Sequence, residues 1–573
     1  MSNIHALLIV PTLLLLLSSA ITTPLHADFD PMIRLDPRID RFTQRIHARY
    51  GILPDGVYRQ PMGTLGFLSY LDTVAALPLT AQERYMLEGL RRQLSISRHE
   101  RAEIIDSADL RGTTADVSGI YGFYNHEGDG YGVVVNLDLT ADAWAHTGGG
   151  GDLRMGGRGI ISPSLRGYIG NFSFYTAMDV WTEYVYDSLF FEGHFQPYDG
   201  VPAIVYGRDN RSADAGGNMR SSELPRAGIS YNGGRIGLEA AIDYLRVGPA
   251  VHYPLTLSGN APPITYARAT FDFTRMEYWH VVGILRSQKD KPKYIYSNGL
   301  RGSLLDGRLR WGISEVMIGG STTNQQDNDP LNPTREEFRG EEQGWEWAYF
   351  VPFVPMAFVE AFLGDRQNAA IALDFDLNWP QNFRFYGEFH IDDMLTPWEI
   401  FSDDWGNKWA LTLGMQYFTT LYGRDLDVGI EWSRVEPWVY THTYGGSHRY
   451  DHFDKPLGSP MGPNSMAIAA NAGMSVTKKG MVGLKLTSLS NNPTARGGNI
   501  TDIFQFVSKE GFEFEPDSET KRFLGPGTIH YLRPGIYMRY DPFGPFRVNA
   551  EIEVETAHDR GKVRFALDGG FRF

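Results

Sequence analysis

The chain has 573 residues, a formal net charge of −15 and no cysteine. The acidic balance argues against nucleic acid as a partner, and without cysteine even an exported protein cannot rely on disulfides. Abundant Gly, Tyr, Phe and Trp with a negative mean hydropathy suit strands that show only one face to lipid.

Ala6 to Leu17 are apolar apart from Pro11 and Thr12, and the small residues Ser18, Ser19 and Ala20 follow. Pro24-Leu25-His26-Ala27 then precedes the charged Asp28-Phe29-Asp30. The pattern predicts a secretory signal peptide over 1–27, cut after Ala27. It departs from the usual form in having His5 but no Lys or Arg before the apolar run, and Leu25 at the third position before the cut. The run is too short to cross a bilayer as a mature helix. No other long uncharged apolar segment occurs, so spanning by helices is not expected.

Residues 28–114 read as a small N-terminal periplasmic helical segment. In Pro37 to Gly51, Ile39, Phe42, Ile46 and Tyr50 recur at helical spacing. Thr80-Ala81-Gln82-Glu83 forms a capping box ahead of Tyr85 to Leu94, where Met86, Leu87, Leu90 and Leu94 make an apolar stripe. Arginines occupy the polar sides of both patterns.

From about Gly119 the period changes to two. Val133, Val135, Leu137 and Leu139 alternate with Asn136, Asp138 and Thr140. Ile371, Leu373, Phe375 and Leu377 alternate with Ala372, Asp374 and Asp376. Phe383, Phe385, Phe389 and Ile391 alternate with Arg384, Glu388, His390 and Asp392. Leu426, Val428, Ile430 and Trp432 oppose Asp427, Glu431 and Ser433, and Trp409, Leu411, Leu413 and Met415 form another apolar face. Phe546, Val548, Ala550 and Ile552 alternate with Arg547, Asn549, Glu551 and Glu553.

The chain closes on Val563, Phe565, Leu567, Phe571 and Phe573, opposite Arg564, Asp568 and Arg572. A terminal Phe after a two-faced strand resembles the targeting signal of bacterial outer-membrane barrels. Alternation alone does not separate a soluble sandwich from a membrane barrel. Together with the leader and the aromatic strand ends, it predicts an all-β chain: a transmembrane antiparallel β-barrel over 115–573. About 16 to 18 strands fit at ~25 residues per strand plus loop. The polar segments Gly207–Pro225, Gly319–Gln343 and Tyr444–Ser465 are placed outside or folded into the barrel mouth.

Catalytic chemistry finds little support. His442, His448, Asp451, His452 and Asp454 share one loop but match no zinc spacing, so no metal and no cofactor is expected. Tyr440-Thr441-His442 is followed by Thr443 and Tyr444, so an outer-membrane phospholipase would lack its serine. No Gly-x-Ser-x-Gly elbow occurs. The neighbours in Asp392-Asp393 and Asp403-Asp404 point to opposite sides of a strand, a poor geometry for glycoside hydrolysis. The expectation is a protein that is not an enzyme.

Aromatics near loops suggest sugar contacts. Trp345, Trp347 and Tyr349 fall on one face at period two, and Trp405 follows Asp403-Asp404. Sugar C–H faces pack on such rings, while carboxylates hydrogen-bond the hydroxyls. The competing reading, favoured for most of them, is an aromatic girdle at the membrane interface.

Several stretches resemble the Wzi-type capsule-assembly outer-membrane family. Trp438-Val439-Tyr440-Thr441-His442, continuing to Leu457-Gly458-Ser459-Pro460-Met461-Gly462-Pro463, resembles that family's Pro-Trp-x-Tyr-Thr-His strand end and following Gly-Pro loop. Phe385 to Asp393, followed by Asn407-Lys408-Trp409, is a second such stretch. Gly207-Arg208 through Pro225 is a third, with Asp209-Asn210-Arg211 where the family has an Arg-led Trp-Gly turn. The resemblance implies an 18-stranded barrel with N-terminal helices at its periplasmic end. It also implies lectin-like attachment of capsular or other exported polysaccharide at the cell surface.

The candidate glycan-binding residues are Trp345, Trp347, Tyr349, Trp405, Arg208, Arg211, His442 and Asp392. A monomer in the outer membrane, surrounded by its lipid and working with capsule-export machinery, is expected. The rival is a porin-like channel passing small solutes through an acidic lumen. An outer-membrane enzyme whose site is not visible is a weaker third.

Overall fold

Each period-two segment pairs with its neighbours, and the wall closes into an antiparallel barrel of 18 strands. The computed structural model describes residues 32–33, 37–54, 56–94, 124–128, 130–147, 153–184, 219–273, 275–286, 292–320, 344–363, 367–442, 445–453, 455–502, 506–509, 513–516, 520–540, 546–557 and 560–572. The expected leader, Arg208, Arg211, Asp454 and the terminal Phe573 lie outside them.

The first nine strands are β1 (Tyr131–Thr147), β2 (Leu153–Ile169), β3 (Phe172–Tyr184), β4 (Met219–Asn232), β5 (Ile236–Asp243), β6 (Ile264–Phe273), β7 (Met276–Arg286), β8 (Pro292–Leu304) and β9 (Leu309–Gly320). The rest are β10 (Asn368–Leu377), β11 (Phe383–Asp393), β12 (Lys408–Leu421), β13 (Arg424–Val435), β14 (Ser465–Ser475), β15 (Gly480–Asn491), β16 (Ile529–Tyr540), β17 (Phe546–Ala557) and β18 (Arg560–Arg572). Closure runs through β18, whose Arg564–Arg572 pairs with His146–Asp138 of β1. A short strand, Tyr124–Gly128, pairs with the remaining Tyr131–Val135 of β1. Full closure leaves no unpaired edge in lipid.

One rim carries tight turns. Tyr422 and Gly423 between β12 and β13 both have positive φ (51° and 72°), the backbone twist that a two-residue hairpin needs. The other rim carries long connections: 244–263, 321–367, 394–407, 436–464 and 492–528.

The faces follow the alternation. On β13, Asp425, Asp427, Glu431 and Ser433 point inward and are buried, whereas Leu426, Val428, Ile430 and Trp432 point outward. Leu484, Ile536 and Leu567 are each more than half exposed on the outer wall, an apolar belt of the kind a bilayer solvates. Phe565, Leu567 and Phe571 join that belt on β18.

Three helices precede the wall: α1 (Pro37–Tyr50), α2 (Thr64–Ala75) and α3 (Ala81–Leu94). α1 and α3 follow their predicted patterns, and the capping box forms reciprocally. The Thr80 N–H donates to Glu83 Oε2 (2.9 Å), and the Glu83 N–H donates to Thr80 Oγ1 (3.2 Å). α2 lies between them. Its Phe67, Tyr70, Leu71 and Val74 carry helical spacing and pack with Phe42 and Ile46 of α1 and Leu87 and Leu90 of α3. Two of the α1 arginines face the inner wall rather than open solvent: Arg45 contacts Glu83 of α3 and Asp425 and Asp427 of the wall, and Arg41 contacts Asp427. The helices therefore sit inside the tight-turn rim, against β10 to β13.

Candidate functional site: a filled lumen and a polar mouth

The inward faces of β11 and β13 place Glu388 and Glu431 at mid-wall, facing the acidic lumen that the alternation predicts. Both carboxylates are occupied by backbone. The connection 244–263 between β5 and β6 folds down into the barrel and presents its N–H groups to them. Glu388 accepts from Ala250 (2.8 Å) and Leu255 (2.7 Å). Glu431 accepts from Val251 (2.8 Å), His252 (3.0 Å) and Tyr253 (2.7 Å), and from the Tyr386 hydroxyl (2.8 Å). A buried loop needs partners for every peptide group, and here wall carboxylates supply them.

The inward loop meets the N-terminal segment in mid-lumen. Arg246–Val247 pairs with Arg59–Gln60 on one side and Leu257–Ser258 on the other, forming a small three-stranded sheet inside the barrel. Arg384 ties the parts together. It donates to Asp376 (2.6 Å) and Gln416 (2.7 Å) on the wall and to the Pro249 carbonyl (2.7 Å) on the loop. Asp376 also contacts Tyr58 and His47 of the N-terminal segment.

Above this polar layer the lumen contains a hydrophobic core. Leu255 and Leu257 of the inward loop pack with Val439, Tyr440, Tyr450 and Leu457 of the connection 436–464. Wall residues Trp279, Ile295, Val316 and Leu489 close around them and are at most 2% exposed. The Tyr440 hydroxyl donates to the Leu255 carbonyl (2.7 Å), and the Tyr450 hydroxyl to that of Thr256 (2.9 Å). A water-filled pore would keep such inward side chains wet. Along this sector they are dry.

His452 seals the edge of this core. Its Nδ1 accepts from the Arg286 N–H (2.9 Å), so Nε2 carries the proton toward the Pro263 carbonyl (3.2 Å). Burial holds its pKa at about 4, below the ordinary 6.5. The unfolded imidazole therefore binds protons that the folded one refuses. This stabilisation is complete above pH 6.5 and is lost as pH falls toward 4, roughly 3 kcal/mol in all. Melting of the detergent-solubilised protein should show this loss across that window. His452→Phe should make it shallower; an unchanged slope would remove His452 as a source.

The predicted glycan residues fall in separate places. Asp392 is buried and accepts from the Tyr440 N–H (2.6 Å), which makes it part of the plug. His442 stacks on His448 (5.2 Å between centroids) at the mouth. In the same loop Asp451 pairs with Lys293 and Arg449, and among the described residues no group of His, Asp or Glu is arranged to hold a metal. Trp405 is half-buried at the long-connection rim, with Lys408 Nζ 5.3 Å from its ring centre. Nearby, Arg434 lies 3.9 Å from the Phe523 ring centre, Lys521 meets Glu436 at 3.1 Å, and Asp404 bridges Thr520. Three long connections thus converge on one charged and aromatic platform.

Trp345, Trp347 and Tyr349 do not share a strand face. Trp347–Phe350 is a 3₁₀ turn, because Glu346 caps it through the Ala348 N–H and, among the described residues, no strand pairs with it to hold an extended chain. Trp345 packs on Tyr294 and Tyr349 on Tyr296, both outward-facing on β8, so this group lies on the outer wall and away from the mouth.

No family model and no curated protein sequence matches the chain. Among solved structures, it is similar in fold to Wzi, an Escherichia coli outer membrane protein involved in group 1 capsule assembly and a carbohydrate-binding β-barrel. The TM-score is 0.56 at 12% identity, covering 95% of this chain and 99% of that one. A BenF-like porin from Pseudomonas fluorescens Pf-5 matches with TM-score 0.40 and 7% identity over 77% of this chain and 99% of that chain. OccAB1 from Acinetobacter baumannii matches with TM-score 0.42 and 8% identity over 77% of this chain and 97% of that chain. At these identities the likeness is one of fold, and the expected Wzi-type barrel is the fold observed.

Proposed function

We propose that this protein is an outer-membrane barrel with a closed lumen that binds an exported polysaccharide through its long connections at the cell surface. The observation that carries this reading is the filled lumen: the connection 244–263 is clamped by Glu388 and Glu431 and joined to the N-terminal segment by a shared sheet. Transport needs a continuous wet path, whereas attachment needs only an anchored surface. The barrel supplies the anchor, and the platform of Trp405, Phe523 and Arg434, braced by buried Lys408 and Lys521, supplies rings and charge suited to an acidic or hydroxyl-rich polymer. The fold shared with a carbohydrate-binding barrel supports the same reading.

A deletion strain should release surface polysaccharide into the medium, and unchanged retention would count decisively against attachment. On purified protein, Trp405→Ala should weaken glycan binding about tenfold, equivalent to ~1.4 kcal/mol. Trp347→Ala, on the outer wall, should leave it unaltered. Equal losses in both would sink the mouth as the site.

One observation favours the porin reading. On β15 and β17 the inward Lys485 and Glu551 keep 27% and 18% of their side-chain surface exposed, unlike fully buried Arg384 on β11. Small solutes would pass along that side. Bilayer conductance separates the two readings.

A further inference from the structure

The outer wall of β7 to β9 breaks the lipid-facing pattern. Pairing aligns His280, Asn298 and Glu315 across the three strands on the outward face. β7 runs Met276–Arg286, so His280 sits at mid-strand. With a rise of ~3.3 Å per residue and an apolar belt ~25 Å tall, that is within the bilayer. Uncovered polar groups there would be strongly disfavoured.

They are covered. Residues 344–363 leave the long-connection rim and fold back over the outside of the barrel, leaving His280, Asn298 and Glu315 each less than a tenth exposed. Beside the apolar packing of Tyr349 and Met356 on Tyr296 and Met317, several contacts turn polar atoms toward the wall, although among the described residues the His280 side chain itself makes no hydrogen bond. Glu315 caps helix α4 (Met356–Leu363), accepting from the Met356 N–H (2.8 Å) and the Ala357 N–H (3.3 Å). The Phe353 N–H donates to the Tyr278 hydroxyl (2.8 Å), and the Glu346 N–H to that of Tyr296 (2.7 Å). Asn298 Nδ2 donates to the Val354 carbonyl (3.3 Å). Buried Glu360 takes the Tyr349 hydroxyl and the Gln367 N–H.

The opposite side of the segment is apolar and bare. Trp347, Phe353, Phe358 and Phe362 are 69%, 53%, 74% and 87% exposed. In water this would be an unprotected hydrophobic patch. Irregular backbone at membrane depth is tolerated only when its polar groups are satisfied by protein, and here wall side chains take the N–H groups of Glu346, Phe353, Met356 and Ala357.

We propose that residues 344–363 form a lipid-embedded saddle on the outer wall of β7 to β9, and that its partner is the acyl layer of the leaflet on the long-connection side. Its outer surface continues the apolar belt of the wall, which argues for acyl chains over a protein partner. The inference depends on insertion of the barrel in a bilayer and is independent of polysaccharide binding.

The chain has no cysteine, so single spin labels can be placed cleanly. Labels at Phe358→Cys and Phe362→Cys, in the full-length protein reconstituted into dilute phospholipid vesicles, should lose relaxation by a water-soluble nickel chelate and keep relaxation by oxygen. Leu484→Cys, on the bare wall of β15, tests insertion itself and should behave alike. Asn499→Cys, in a long connection, should show strong nickel relaxation. Lipid-like behaviour at Leu484 with nickel access at Phe358 and Phe362 would overturn the saddle while leaving the membrane barrel intact. Nickel access at all positions would instead overturn insertion. Protection at Phe358 and Phe362 seen only in native membranes or at high protein density would assign the surface to a protein partner and overturn the lipid assignment.

Discussion

Replacing Glu388 and Glu431 together with alanine should make the barrel conduct in planar bilayers, where the parent is expected to carry no steady current. The two carboxylates accept the N–H groups of Ala250, Val251, His252, Tyr253 and Leu255. Removing them strands those donors in a dry lumen at ~1–3 kcal/mol each, more than the docked loop can tolerate. The loop is then better solvated outside, and the lumen opens. The wall itself stays paired, so the variant should keep the slow gel mobility change on heating that marks a folded barrel. The Gln pair retains one acceptor oxygen per site and should give smaller, flickering currents. Large steady channels in the unaltered protein would sink the closed-lumen reading. A double variant as silent as its parent would show that the apolar core alone holds the loop.

The second large effect is expected at Arg45→Met. The guanidinium is 2% exposed and reaches Glu83 (2.7 Å), Asp425 (3.1 Å) and Asp427. Arg49 and Arg41 also serve Glu83 and Asp427, so Asp425 is the carboxylate left most isolated. Breaking a buried ionic group by removing one partner costs about 3–5 kcal/mol, because the remaining charge stays buried. The helices should loosen from the tight-turn rim, seen as rapid proteolysis ahead of Leu94 while the barrel resists. Adding Asp425→Asn should recover much of the protection. Equal protease resistance in Arg45→Met and the parent would show that the apolar contacts of Phe42, Ile46 and Leu87 hold the segment without the ionic cluster.

Both effects turn on residues whose face was legible and whose partner was not. Period two placed Glu388 and Glu431 inward, as it placed Ile430 outward, since a strand alternates whatever surrounds it. It left undecided whether the lumen they face is open or plugged. Their partners lie in a loop 133 to 180 positions earlier, and no local pattern reports a contact at that separation. The arginines of α1 were likewise legible as a polar helix face, but not as a face turned to a carboxylate-lined wall.

The aromatic trio shows the opposite failure. Trp345, Trp347 and Tyr349 alternate too briefly to demand a strand, and Glu346 supplies a turn cap instead. Their use as cover for a polar stretch of outer wall depends on His280, Asn298 and Glu315 being brought side by side by register, which is a property of the closed sheet.

By itself, then, the sequence determined a two-faced wall, its apolar exterior, its helical prelude and the capping box, because each rests on periodicities and bonds spanning a few residues. Only the tertiary structure decided that the barrel is filled, which carboxylates hold the filling, and that one loop lies outside on the wall. Those outcomes are set by where buried peptide groups and buried charges find partners, and the partners come from distant parts of the chain.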